Sequence, residues 1–373
     1  MDKIPAAKPY FPEKDIEEMG LKLREIFESG QLINGKYTKD FEELAARSIG
    51  ARYALAFNSC TSALQTVLDF IGVDHQEVII PTNTFLATGN AVLFAGGTPV
   101  LVDIEENSLL LDFEECKKKV TSKTKAIILV HIAGYIHPRV DEIREFCNEH
   151  NIFFIEDASH AQGASRGGQY AGSFGDAAVF SMYATKVITT GGVGGVLVTN
   201  NEKLFARAKS LRFHGEDSER GIQNRLGNDW LMTEIQAVVG LQQLNRLSEI
   251  VLKRMEIART YDAAFLNTPG VKFFPLSEGD TNGYYKYPLR ILLPHNAGNI
   301  REALKKDYDI GAGSCYWPPC HLQPVYKKLF GYKEGDFRAA EEVLSETISL
   351  PIFAGMTEVQ VHQVIDAIKK LIG

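Results

Sequence analysis

The stretch Phe154-Ile-Glu-Asp-Ala-Ser-His160 closes a short apolar run with two carboxylates and a histidine. From residue 152 to 155 no polar side chain interrupts, so the pattern does not alternate. That suits a strand buried on both faces of a mainly parallel sheet. A carboxylate at the C-terminal end of such a strand stands where open α/β sheets bind ligands. Working outward, similar runs occur at 53–57, 77–80, 99–103, 125–130, 177–181 and 195–198. Helical patterns lie between them. One at 62–71 follows a Thr-Ser cap, and one at 140–150 carries Val140, Ile143 and Phe146 on one face. Alternating strands and helices predict an α/β domain with right-handed crossovers.

Beyond this region the pattern predicts helices over 232–247 and 249–265. The second has Leu252, Met255, Ile257 and Tyr261 facing inward and connects two domains. After Thr268-Pro-Gly the texture changes to a strand at 284–293, a helix at 299–308 and a C-terminal helix within 351–371. The division expected is 1–248, an N-terminal arm and large domain, and 249–373, the connecting helix and a small α+β domain. A helix at 13–29 is expected to pack with the C-terminal part.

The chain has 373 residues, 45% hydrophobic and 23% charged, which is the composition of a globular protein with a large core. Lys and Arg number 40 against 47 Asp and Glu, a net charge of −7. This argues against nucleic-acid binding, which needs a basic surface, and against a polybasic membrane anchor. No run reaches the length of a membrane helix, and residues 1–12 have no apolar signal core. Five scattered cysteines (Cys60, Cys116, Cys147, Cys315 and Cys320) fit reduced thiols and a cytoplasmic protein better than a disulfide framework. Cys315, Cys320 and His321 lie close in sequence but lack a second ligand pair, so no metal is expected.

Two further motifs join the carboxylate. Asn58-Ser-Cys-Thr-Ser-Ala-Leu opens a helix after a strand, and free N–H groups and hydroxyls there suit a phosphate. Taken alone it reads more simply as a helix cap. Val179-Phe-Ser-Met-Tyr-Ala-Thr-Lys186 places a lysine after a buried strand, and Thr190-Gly-Gly-Val-Gly-Gly195 follows it. A lysine desolvated in a cleft becomes nucleophilic towards carbonyls; taken alone it reads as a loop lysine. Together, an anion site, a buried Asp157 and Lys186 are the anchors that pyridoxal 5′-phosphate (PLP) requires for its phosphate, its ring nitrogen and its aldehyde. No Gly-x-Gly-x-x-Gly follows the first strand, so a dinucleotide fold is not indicated.

On Glu156-Asp-Ala-Ser-His-Ala, Phe180-Ser-Met-Tyr-Ala-Thr-Lys and Met232-Thr-Glu-Ile-Gln-Ala, the chain resembles the DegT/StrS-type PLP-dependent sugar aminotransferases nearly end to end. The resemblance implies a large PLP-binding domain with a mainly parallel seven-stranded sheet flanked by helices, plus a smaller α+β domain. It implies that Lys186 binds the cofactor and shuttles protons, and that Asp157 pairs with the pyridine nitrogen. His160 then contacts the ring hydroxyl and Phe85 stacks on the ring. Cys60, Thr61 and Ser181 contact the phosphate, and Tyr316 and His321 stand on the sugar-nucleotide side.

It also implies glutamate as amino donor, a nucleotide-linked keto sugar as acceptor, and a homodimer with shared sites. Three positions depart from the family pattern: Cys60 for Gly, Val193 for Asp or Glu, and Gly227-Asn-Asp-Trp-Leu-Met for Gly-Tyr-Asn-Tyr-Arg-Met. The last aligns Asp229 with the Asn that reaches the neighbouring subunit's cofactor phosphate, with Asn228 as the alternative. In the family's dehydrating relatives His replaces the lysine, so Lys186 argues against a dehydratase. It argues equally against a non-catalytic scaffold. Arg290 reads either as a carboxylate ligand or as a salt-bridged surface residue, and Arg212, Arg220 and Arg225 either meet a diphosphate or are solvated.

Overall fold

The computed structural model describes residues 3–106, 108–217 and 221–373. Arg220 lies outside them. The central sheet contains β1 (Tyr53–Phe57), β2 (Glu77–Pro81), β3 (Thr98–Val102), β4 (Thr124–Val130), β5 (Phe153–Asp157), β6 (Ala177–Ser181) and β7 (Gly195–Thr199). Its order is β1-β7-β6-β5-β4-β2-β3, seven strands as expected. β7 alone runs antiparallel, paired with β1 on one side and β6 on the other. The remaining strands therefore deliver their C-terminal ends to one edge of the sheet, and β7 delivers its N-terminal Gly195 there.

Both faces are buried. Along β4, Ala126, Ile128 and Val130 enter one apolar cluster while Ile127 and Leu129 enter the other. The first cluster continues without a break into the core of the small domain, through Tyr261, Leu289, Ile348 and Val364. That domain has a four-stranded antiparallel sheet of Val271–Phe273, Tyr287–Ile291, Thr347–Leu350 and Gly313–Ser314, covered by helices including Ala297–Asp307 and Glu358–Ile372.

Several expectations need correction. Helix Glu13–Ser29 packs on Glu234–Asn245 of the large domain rather than on the C-terminal part. Its buried Asp15 is gripped by Arg246, and it is the segment upstream, at Ile4, that bridges to Ile310 of the small domain. The 232–247 segment starts later, at Glu234, because Thr233 forms a capping box with Gln236. Leu252 faces outward at 61% exposure; Ile250, Val251, Arg254 and Ile257 take the inner face of Leu247–Phe265. The strand expected at 284–293 shortens to Tyr287–Ile291, because Tyr284 adopts a left-handed φ of 44° and ends the extended geometry. That turn leaves Tyr285 and Lys286 outside the sheet.

Candidate active site

A cavity of about 340 Å³ opens at the sheet edge where the strand ends converge. Asp157, the last residue of β5, reaches it nearly buried. It accepts a hydrogen bond from the Thr88 hydroxyl (2.8 Å) and one from the Ser159 backbone N–H (3.2 Å). Glu156 faces the other way. Fully buried, it accepts N–H bonds from Gly172, Phe174 and Gly175 and meets His131 Nε2 at 2.8 Å, so the two adjacent carboxylates serve different faces of the strand.

Lys186 follows β6 in a turn closed by its own N–H to the Tyr183 carbonyl. Its Nζ lies 4.1 Å from the centre of the Tyr285 ring. Burial pushes its pKa below the ordinary lysine value, against the opposing pull of Tyr285 and Asp157. The amine therefore spends more of its time unprotonated than a surface lysine does.

Helix Cys60–Ile71 points its first turn at the cavity. The Ser59 side chain caps it by accepting from Ser62 N–H, which leaves the N–H groups of Cys60 and Thr61 without an intrahelical carbonyl. The loop comes this close because residue 195 is glycine: a Cβ there would lie 2.4 Å from the Cys60 nitrogen. Burial pushes the Cys60 thiol up, so it stays uncharged beside an anion site. Ser181 and the exposed ring of Phe85 complete the lining, and Val193 stands at the rim.

His160 is buried and its ring lies against Tyr285, centroids 4.3 Å apart and tilted by 38°. Its Nδ1 accepts from Ala133 N–H (3.2 Å) and its Nε2 meets the Tyr316 hydroxyl (2.8 Å). Both nitrogens are thus already paired, and the ring lines the cavity beside Lys186. His321 does not come to the cavity. It is fully buried, with Nδ1 at 2.7 Å from Thr82 Oγ1 and Nε2 at 3.0 Å from Glu341, and it braces the turn after β2. Asp229 lies outside the cavity too, exposed on the surface, with its backbone carbonyl bonded by Asn58.

Arg212 is spent on Glu42 and the Ala56 carbonyl, Arg225 on Asp217 and Ser210, and Arg290 on Glu342 and Glu346. A second cavity, about 430 Å³, is lined by apolar residues such as Phe180, Met182 and Val251 and has no lysine or carboxylate.

Sequence reasoning missed Tyr285, Thr88 and Ser159. Tyr285 carries no spacing signal, since it depends on the turn at Tyr284. Ser159 sits inside a quoted motif, and its backbone N–H two residues after Asp157 is the usual Asx-turn partner.

A buried lysine amine with a lowered pKa, a buried carboxylate, an aromatic face and a helix N-terminus in one cleft match the needs of PLP. Together with the sheet order, they define the large α/β class of PLP-dependent aminotransferases. The chain belongs to the DegT/DnrJ/EryC1/StrS aminotransferase family, whose pattern matches residues 13–369. It is 34% identical to GDP-perosamine synthase of Caulobacter vibrioides, over 91% of each chain. The solved structure of Helicobacter pylori PseC, an aminotransferase of pseudoaminic acid biosynthesis, superposes with a TM-score of 0.92 at 31% identity. It covers 100% of this chain and 99% of that one. Streptococcus pneumoniae Spr1654 in its PLP form superposes at 0.90 with 26% identity, covering 99% and 98%. The protein is a PLP-dependent sugar aminotransferase.

Proposed function

We propose that the chain moves an amino group from glutamate to the keto group of a nucleotide-linked deoxysugar, as a homodimer in the cytoplasm. The observation that carries the reading is the convergence of Lys186, Asp157, Phe85 and the first turn of Cys60–Ile71 on one cavity. In this reading Lys186 would hold the PLP aldehyde, and its free amine would move the proton of the donor's α-carbon. Asp157, steadied by Thr88 and Ser159, holds the pyridine N–H. Phe85 covers one ring face. Cys60 and Thr61 N–H groups and the Ser181 hydroxyl hold the phosphate. Tyr316 stands on the substrate side. PLP, when bound, supplies the electron sink that stabilises charge at the substrate carbon.

The nucleotide-linked acceptor is supported by the relatives' names, since GDP-perosamine synthase is named for a nucleotide-linked sugar. The exposed 227–230 loop with Asn228 and Asp229 is the arm assigned to the partner subunit's cofactor. We divide the chain into domains at 248/249. Five free cysteines fit a reducing compartment, and among the described residues no helix is long and apolar enough to cross a membrane.

The test is the visible absorption of the PLP-loaded protein. L-Glutamate is expected to remove the band of lysine-bound PLP and 2-oxoglutarate to restore it; a band indifferent to glutamate contradicts the donor assignment.

A further inference from the structure

His160 has a defined tautomer. An amide N–H donates to Nδ1, so that nitrogen carries no proton, and in a neutral imidazole the proton sits on Nε2. Burial, with the charge of Lys186 nearby, holds the ring's pKa well below the ordinary histidine value, so the neutral ring is the one present. The bond between His160 and Tyr316 then has a direction. Nε2–H donates to the phenol oxygen, and the phenol proton is left to be given elsewhere. Burial raises the Tyr316 pKa well above the usual, so that proton is in place at neutral pH.

The backbone that fixes this tautomer is specially built. Ala133 sits at φ 57°, in the left-handed region that residues with a Cβ rarely adopt. Gly134 follows at φ 95°, where a Cβ would lie 2.1 Å from Asn282 Oδ1 and 3.0 Å from the His160 carbonyl oxygen. Strain of this kind concentrates at working sites. Tyr316 itself lines the cavity of Lys186, with its ring 5.7 Å from that of Phe85. Tyr285 lies alongside, against His160 and under Lys186.

We propose that Tyr316, backed by His160, is a second catalytic residue that donates the proton to the oxygen of the substrate's carbonyl group. The inference rests on the aminotransferase reading of the cleft. Joining a ketone to an amine forms a C=N bond and breaks both C–O bonds, and the oxygen leaves as water. The oxygen gains two protons and the nitrogen loses two. Tyr316 gives the oxygen one proton as the amine adds and, once reprotonated by the first proton that the nitrogen loses, a second as the remaining C–O bond breaks. The nitrogen's second proton restores the phenol, each return relayed through the Lys186 amine, so both protons gained by the oxygen are those lost by the nitrogen and no outside acid is needed. The Nε2–H of His160 stabilises the phenolate in the interval. Lys186 handles the carbon-bound proton, and Tyr316 the oxygen. The same residue works in reverse when water releases the keto acid of the donor.

The experiment is single-turnover reaction of the holoenzyme with L-glutamate and with its α-deuterated form, in wild type and in Y316F, H160Q and H160L. Tyr316→Phe is expected to slow the reaction about 100-fold and to shrink the α-deuterium isotope effect towards one, because the oxygen step becomes limiting. His160→Gln, which keeps an N–H donor, is expected to be less impaired than His160→Leu. An unchanged rate, or a slower one with an undiminished isotope effect, overturns the proposal. An independent readout is ¹⁵N NMR of the imidazoles in the protein without PLP. A protonated Nε2 and bare Nδ1 at His160 are expected; the opposite tautomer overturns the proposal. A wild type that binds no PLP at Lys186 strikes the underlying reading instead, and is told apart by that failure of loading.

Discussion

Asp157 keeps its place through two short donors, and Thr88 is the one supplied from a distant element, helix Leu86–Phe94. Removing the charge should matter more than removing the brace. Asp157→Asn is expected to lower kcat by about 100-fold or more, since a neutral amide does not hold a cationic ring nitrogen. Thr88→Val should cost less, about 1 kcal/mol of hydrogen bonding. Steady-state kinetics of the two variants checks the order, and equal losses contradict it. At this scale the sequence was legible where a residue ends a strand or stands in the turn just after it. Asp157 and Ser181 end apolar runs, and Lys186 lies in the turn beyond the second. His321 was not, because a motif shows which residues are close in the chain and not which way a ring points. Here it turns inward to Thr82 and Glu341.

Elements show the same division. The strands and most helices announced themselves by unbroken apolar runs and caps, whereas their long-range fastenings did not. Glu234 is the clearest case. It lies in the family-like stretch that opens Glu234–Asn245, yet its buried carboxylate caps another helix, Lys36–Ile49, by accepting N–H bonds from Gly35, Tyr37 and Thr38. Glu234→Ala leaves those donors buried and unmet, and should destabilise the fold by at least about 3 kcal/mol in chemical denaturation.

Gly195→Ala should fold less well and lose PLP affinity, because its Cβ strikes the backbone of Ser59 and Cys60; PLP titration reads this. In the segment after β4, His137 is buried, donates from Nε2 to the Leu111 carbonyl and accepts Arg139 N–H on Nδ1. Burial holds its pKa down to about 4. In the unfolded chain it takes a proton near pH 6.5, so the unfolded state gains protons first as the pH falls. Stability is therefore expected to drop between about pH 6.5 and 4, by up to about 3 kcal/mol, and to be flat above. Thermal melts of wild type and His137→Gln across that range should differ in slope.

At the scale of the whole molecule, the side chains lining the cavity come from both sheets. Asp157 ends a strand of the large sheet and His160 and Lys186 follow its strands, while Tyr285 and Tyr316 flank strands of the small one. Their meeting depends on packing across one continuous core, which local sequence patterns do not encode, and this is why Tyr285 went unread. A shared-site homodimer makes a prediction of its own. Mixing Lys186→Ala with an Asn228/Asp229 double alanine variant should restore activity that neither has alone, because hybrids hold one intact site; no recovery on mixing contradicts sharing.

If Lys186 binds the cofactor, borohydride reduction of the PLP-loaded protein followed by peptide mapping is expected to give a single pyridoxyl label on Lys186, absent in Lys186→Ala. A label on the neighbouring Lys286, whose amine also faces the Tyr285 and Tyr316 rings, or no label at all, would contradict it.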